Sequence, residues 1–83
     1  KKDNNNIAYK MITYFMERIR THYYLNTSQL NSEFFSSLSK KSGLEEAGIK
    51  HFFYFLSALQ QTDNISDEEL LNLNNQIQTY FKQ

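Results

Sequence analysis

Apolar side chains recur three and four positions apart along most of the chain, which is the spacing of one face of an α-helix. The first of these stripes lies within about Asn6 to Leu25 and predicts a long first helix. Its members are Ala8, Met11, Ile12, Phe15, Ile19, His22 and Tyr23. An asparagine among positions 4–6 is the expected N-cap, since asparagine side chains accept hydrogen bonds from the first backbone amides of a helix.

A short second helix is predicted from about Ser32 to Lys41, with Asn31 as its N-cap. Its apolar residues are Phe34, Phe35 and Leu38. Two lysines in its last turn are followed by Gly43, which is typical of a helix C-terminus because glycine readily adopts the left-handed conformation that closes a helix. Gly43 therefore marks a corner between the second and third helices.

A third helix is predicted over about Glu45 to Gln61, and a fourth from the Ser66 N-cap to the end of the chain. Ser66 and Glu69 have the spacing of a capping box, in which each side chain bonds to the other residue's backbone amide. The connections are about three to six residues long, so consecutive helices must fold back on each other. The sequence therefore predicts an all-α fold, a compact four-helix bundle with a long first helix and a short second helix.

The length of 83 residues fits one domain, because chains divide into domains only when they are considerably longer. We expect residues 1–5 to be a polar linker and residues 6–83 to be a single helical domain. The polar start without an initiator methionine predicts that the chain is a piece of a longer protein.

The composition argues against most catalytic and metal chemistry. There is no cysteine, which excludes disulfides, a thiolate nucleophile and cysteine-bound zinc. No glycine-rich phosphate loop or nucleophile elbow is present, and the acidic clusters fall in first turns of helices, where the helix dipole favours them. His22 is expected to form a hydrogen bond at the edge of the core, and His51 to be exposed. We therefore predict no catalytic residue, no cofactor and no metal: the chain is not an enzyme.

The charges balance over the whole chain but divide unevenly along it. Residues 1–43 carry seven basic and three acidic side chains, and residues 44–83 carry two basic and six acidic ones. A neutral total argues against strong nonspecific binding to phosphate backbones. Residues 35–54 nevertheless have the spacing of a helix-turn-helix around Gly43, with Lys50 and His51 as possible donors to nucleic acid. A nucleic-acid-binding domain is therefore the alternative function.

Aromatic residues are too numerous for a core of this size. The chain contains seven phenylalanines and six tyrosines, and the helical phase leaves Tyr14, Tyr24, Tyr54 and Phe55 partly exposed. They form either an aromatic rim to the core or a surface that contacts another protein, because tyrosine and phenylalanine are enriched in interfaces. With Arg18 and Arg20 as its polar edge, this set of six residues is the candidate interaction surface.

Six segments of the chain together have a recognisable pattern: Ile7–Lys10, Tyr14–Phe15, Ile19–Thr27, Asn31–Phe35, Leu38–Gly43 and Ile65–Asn74. They resemble the C-terminal region of one uncharacterised bacterial family of membrane-anchored proteins, and the similarity covers about residues 6–82. The family's extracytoplasmic domain is similar to glutamine amidotransferases, and its genes typically lie beside those of MoxR-type ATPases.

The resemblance implies a cytoplasmic location on the inner membrane, because the corresponding segment of that family follows a transmembrane helix. It also implies a protein partner, with a component of a MoxR-type ATPase system as the candidate. It supplies no catalytic residue. Family members often have a proline near the start of the third helix, where this chain has Glu45 and Glu46. On this basis we expect a non-catalytic protein–protein interaction domain of a membrane-anchored protein.

Overall fold

Four α-helices make up the secondary structure of the computed structural model, which describes residues 3–81. Their bounds are Asn4–His22 for α1, Ser32–Ser42 for α2, Glu46–Gln60 for α3 and Asp67–Thr79 for α4. No strand occurs within the described residues. The predicted all-α four-helix bundle, with a long first and a short second helix, is confirmed. Positions 1, 2, 82 and 83, which fall in the predicted linker and the predicted fourth helix, lie outside the described residues.

The helices α1 and α4 lie side by side and run in the same direction. At their starts, Asn4 Nδ2 donates a hydrogen bond to Asp67 Oδ1 at 2.9 Å. At their ends, the Tyr23 hydroxyl donates one to the backbone carbonyl of Tyr80. The helix α3 packs against α1, and α2 packs against α3. The bundle measures 40 × 24 × 20 Å, and among its described helices none is both long and apolar enough to cross a bilayer.

Phe15 lies at the centre of the core, where three helices meet. Its ring centroid lies 5.4 Å from that of Phe52, 5.8 Å from that of Phe53 and 5.2 Å from that of Tyr80. The pairs with Phe52 and Tyr80 are edge-to-face, and such pairs stabilise a fold by about 0.5–1.5 kcal/mol each beyond their burial. The other buried apolar residues are Ala8, Ile12, Ile19, Tyr23, Phe34, Leu38, Ile49, Leu56, Leu59, Ile65, Leu73 and Ile77.

The start of α1 differs from the prediction. Asp3 is the N-cap, and its carboxylate accepts a hydrogen bond from the backbone amide of Asn6 at 3.2 Å. The predicted cap among residues 4–6 is therefore wrong. Asn4 and Asn5, which the sequence placed in a linker, are helical. The physical reason is that their side chains have partners elsewhere in the fold.

Those partners lie in the loop between α3 and α4. Asn5 Nδ2 donates to the Thr62 carbonyl at 2.7 Å, and Asn5 Oδ1 accepts from the Ile65 amide at 3.1 Å. Asn4 Nδ2 donates to the Ile65 carbonyl at 2.9 Å. Loop backbone groups that no helix can pair are thereby satisfied. The first turn of α1 holds the α3–α4 loop in place.

The caps predicted for α2 and α4 are confirmed. Asn31 Oδ1 accepts from the Phe34 amide at 2.9 Å, and Gly43 closes α2 with a φ of 78°. Ser66 and Glu69 form the reciprocal capping box. Glu45, in contrast, is the N-cap residue of α3 without any side-chain capping bond.

The end of α1 also differs from the prediction, since the helix ends at His22 and not near Leu25. His22 is exposed and does not belong to the buried stripe. Its ring contacts the ring of Phe81 edge-on, with centroids 5.5 Å apart. The helix α4 likewise ends at Thr79, and a turn follows it. The predicted helical phase therefore does not apply beyond His22 in α1 or beyond Thr79 in α4.

Candidate interaction surface

The two kinds of aromatic residue separate in the structure. All seven phenylalanines are buried or half-buried, whereas Tyr9, Tyr14, Tyr24 and Tyr54 are exposed. The predicted exposure of Tyr14, Tyr24 and Tyr54 is confirmed, with 64%, 86% and 74% of their surface accessible. Phe55 is half-buried, as predicted, and its ring lies 6.3 Å from that of Phe52. The aromatic surplus at the surface consists mainly of tyrosine.

Tyr14 and Arg18 come together on the outer face of α1. They are one helical turn apart, and the Arg18 guanidinium lies 5.7 Å from the Tyr14 ring centroid. It lies closer still to Phe81, at 3.9 Å from the ring centroid. A guanidinium over an aromatic face is attracted by the negative charge of that face, so both rings hold Arg18 in position.

A surface groove of about 330 Å³ runs between α1 and the end of α4 at this point. Its α1 side consists of Met11, Tyr14 and Arg18, and its other side of Asn74, Ile77, Gln78 and Phe81. Apolar side chains therefore form its floor, and amides with one guanidinium form its rim. We call this feature the α1–α4 groove.

Arg20, the other predicted arginine, takes part in a different contact. Its Nη2 donates to Glu17 Oε1 at 2.6 Å, and both side chains are largely exposed. An exposed pair of this kind contributes only about 0–1 kcal/mol to stability. Arg20 does not line the α1–α4 groove.

Tyr24 follows α1 in an unusual backbone conformation. Its φ is 56°, and among the described residues other than glycine only Tyr24 has a positive φ. The next amide, that of Leu25, donates back to the Arg20 carbonyl at 3.3 Å, so the turn is a Schellman closure with tyrosine in the position that glycine usually occupies. A residue with a side chain in the left-handed region of φ and ψ lowers the stability of the fold by about 1 kcal/mol or more relative to glycine. Tyr24 projects into solvent at a fixed corner of the fold.

The six predicted residues thus fall at separate places. Tyr14 and Arg18 line the α1–α4 groove; Arg20, Tyr24, Tyr54 and Phe55 do not. Sequence reasoning missed Phe81 as a groove residue because its spacing from Ile77 indicated only a buried face. It also missed Asn74 and Gln78, although two amides one turn apart beside Ile77 are a detectable signal of a polar rim.

The corner between α2 and α3, where the helix-turn-helix alternative was predicted, packs the two helices against each other. Leu38, Ile49 and Phe52 are buried, and Ser39 Oγ donates to the Leu44 carbonyl at 2.6 Å. Two of the nearby cations have partners within the domain. Lys50 Nζ lies 3.6 Å from Glu46 Oε2, and Lys41 Nζ donates to the Tyr23 carbonyl at 2.8 Å.

Two buried tyrosines have perturbed acidity. Burial raises the pKa of Tyr23 above its ordinary value. Burial, with a smaller contribution from Tyr23, also raises the pKa of Tyr80. Both hydroxyls therefore keep their protons to a higher pH than an ordinary tyrosine hydroxyl. Across residues 3–81, no three histidine, aspartate or glutamate side chains are grouped as ligands for a metal ion.

Comparison with known proteins gives one finding. A family model described as the DUF4350 C-terminal helical domain matches residues 1–83. No curated protein and no solved structure matches the chain significantly.

Proposed function

Because the chain belongs to the DUF4350 C-terminal helical domain family, a family of unknown function, we propose that it is a non-catalytic domain that binds another protein. The observation that carries this proposal is the exposure of Tyr9, Tyr14, Tyr24 and Tyr54 in a domain whose phenylalanines are all at least half-buried. Tyrosine combines a large apolar ring with a hydrogen-bonding hydroxyl, and it has few rotatable bonds to immobilise.

Tyr24 gives this proposal its strongest support. Tyr24 is 86% exposed and contributes little to the core. Its positive φ also costs free energy, because a residue other than glycine is strained in this conformation. Glycine would fit the turn better, so a requirement for the tyrosine side chain itself accounts for its presence. Contact with a partner supplies such a requirement.

The identity of the partner rests on the family resemblance. We propose that the parent protein is membrane-anchored, that this domain lies on the cytoplasmic side of the inner membrane, and that its partner belongs to a MoxR-type ATPase system. The full-length parent allows a direct test of the location. A reporter that is active only in the cytoplasm is fused to this domain, and its activity shows on which side of the membrane the domain lies.

Site-specific crosslinking in the full-length parent tests the interaction. A photoreactive phenylalanine analogue replaces Tyr24, Tyr14 or Tyr54 in turn, and exposed Asn72 on α4 serves as the matched control position. We expect a discrete adduct from at least Tyr24, identified by mass spectrometry, and none from Asn72. Equal labelling at all four positions, or no adduct from any tyrosine, would contradict the proposal.

Nucleic-acid binding is the second candidate, and the Gly43 turn between α2 and α3, flanked by buried Leu38 and Ile49, favours it. Its weakness is that Lys41 and Lys50 already contact groups of this domain. The test is titration of a DNA duplex at low salt with the wild-type chain and with a Lys40→Glu, Lys50→Glu double variant. Affinity that falls steeply with salt and is lost in the variant would support this candidate. Its failure would be unchanged binding in the variant or no binding at all.

A further inference from the structure

We propose that the α1–α4 groove binds an acidic peptide segment of the partner, with a peptide carboxylate on Arg18 and a large apolar side chain on the floor of the groove. This inference rests on the proposed function, since it names the site and the chemistry of the interaction.

Arg18 is positioned for a carboxylate. Its guanidinium carbon lies 3.9 Å from the Phe81 ring centroid and 5.7 Å from the Tyr14 ring centroid. A guanidinium attracted to a ring face can still donate hydrogen bonds through its N–H groups, which lie in the plane of the group. Among the described residues, no carboxylate pairs with Arg18, whereas Arg20 on the same helix is paired with Glu17.

The charge around the groove favours a negative ligand. Arg18 is the one charged residue among those that line it. The acidic residues of α4, Asp67, Glu68 and Glu69, all lie in its first turn, whereas the groove borders its second half. Among the residues that line the groove, a carboxylate therefore meets one cation and no anion. Such complementarity selects a partner and fixes its orientation.

The floor and rim explain the other half of the proposed ligand. Met11 and Phe81 are half-buried and lie beside buried Ile77, so part of their apolar surface is accessible from the groove. The flexible methionine side chain adapts to varied apolar ligands. The exposed amides of Asn74 and Gln78 can each donate to and accept from a peptide backbone. The groove volume, about 330 Å³, suits one or two apolar side chains and not a whole helix.

A second copy of the chain is the competing occupant. The first turn of α4 presents Glu68 and Glu69 next to Leu71, which is 61% exposed. This surface also combines carboxylates with an apolar side chain. Contact between it and the groove of another copy would join different surfaces and would produce closed rings or open chains of molecules. The NMR signals of the groove are therefore also recorded at several concentrations of the chain without peptide, which reports self-association.

The test uses the 83-residue chain and the fluorescein-labelled hexapeptide Glu-Asp-Leu-Phe-Glu-Asp, with binding followed by fluorescence anisotropy. Two matched peptides replace the acids by amides or the Leu-Phe pair by Ala-Ala. We expect the first peptide to bind and each control to bind at least about tenfold more weakly. The methyl signals of Met11 and Ile77 should shift on titration in NMR spectra.

Variants separate the groove from general electrostatics. Arg18→Gln should weaken binding by about tenfold, whereas Arg20→Gln, the same change of charge on α1 outside the groove, should leave it within about twofold. Gln78→Glu adds a carboxylate to the rim without removing any core contact, and it should also weaken binding. It serves as the test if circular dichroism shows that Arg18→Gln unfolds the domain.

Three outcomes would overturn the docking proposal. They are no binding of the acidic apolar peptide, equal losses for Arg18→Gln and Arg20→Gln, and groove signals that shift with the concentration of the chain alone. The last would identify a second copy as the occupant. If any of these occurs while crosslinking from Tyr24 persists, the docking site is wrong and the proposed function stands. Loss of the crosslinks as well would contradict both.

Discussion

The Tyr23 hydroxyl donates a hydrogen bond to the backbone carbonyl of Tyr80 in the core, 57 positions further along the chain. The Tyr23 carbonyl in turn accepts from Lys41 Nζ at 2.8 Å. One residue therefore connects the end of α1 to α2 and to the end of α4. This connection, together with the Asn4 bond to Asp67 at the opposite end, holds both ends of α1 against α4.

Removing the Tyr23 hydroxyl should destabilise the domain. In Tyr23→Phe the Tyr80 carbonyl stays buried and loses its donor, which costs about 1–3 kcal/mol. Urea unfolding followed by circular dichroism measures the loss. Tyr24→Phe removes an exposed hydroxyl one position away and should change the free energy of unfolding by less than about 0.5 kcal/mol. Equal effects of the two substitutions would show that the Tyr23 hydrogen bond contributes no stability.

Stability should fall at alkaline pH. Burial raises the folded-state pKa of Tyr23 and Tyr80 above the ordinary tyrosine value of about 10. Such groups bind protons more tightly in the folded state, so their contribution is fully present below pH of about 10 and is lost as the pH rises above it. Urea midpoints measured between pH 8 and 11 give the slope of stability against pH. Tyr80→Phe should flatten the decline, and Tyr54→Phe, which removes an exposed tyrosine, should not. An identical slope in Tyr80→Phe and the wild-type chain would rule out this origin.

Asn5 should be more important for stability than its polar, N-terminal position suggests. Asn5→Ala leaves the Thr62 carbonyl and the Ile65 amide without their partners and should cost about 1–3 kcal/mol. The amide hydrogen of Ile65 should also exchange faster with solvent. Asn6→Ala is the matched control, because Asn6 is exposed on the same turn. A loss in Asn6→Ala as large as that in Asn5→Ala would indicate a general effect of helix composition.

Glycine at position 24 should separate stability from binding. Tyr24→Gly relieves the positive φ and should raise the free energy of unfolding by up to about 1 kcal/mol. It should also weaken capture of the partner that crosslinks at this position. Tyr24→Ala removes the same ring but keeps the strained backbone, so it should lose capture without gaining stability. If both variants retained full capture, the tyrosine side chain would have no role in binding.

Local features of the fold could be predicted from the sequence. Asn31, Gly43 and Ser66 determine helix ends through partners only three or four residues away, so their roles follow from spacing alone. Asp3 was missed because three asparagines follow it and each is an acceptable cap. The decisive contacts of Asn5 lie 57 and 60 positions away, and no local pattern reports them.

The candidate site could be predicted only in part for the same reason. The exposure of Tyr14 and Tyr54 follows from helical phase within one helix. The groove depends on how α1 lies against α4, which brings Arg18 over Phe81. That relationship exists only after the helices have packed, and the one-dimensional pattern of Phe81 indicated burial alone.

The parallel arrangement of α1 and α4 also has a kinetic consequence. In a bundle where each helix contacts mainly its neighbour in sequence, most contacts close short loops. Here the bonds between α1 and α4 join residues 57–63 positions apart, so forming them removes more chain entropy than forming the α2–α3 corner. Long-range contacts slow folding. We therefore expect α2 and α3 to associate early and the rate of folding to be set by the arrival of α4 on α1.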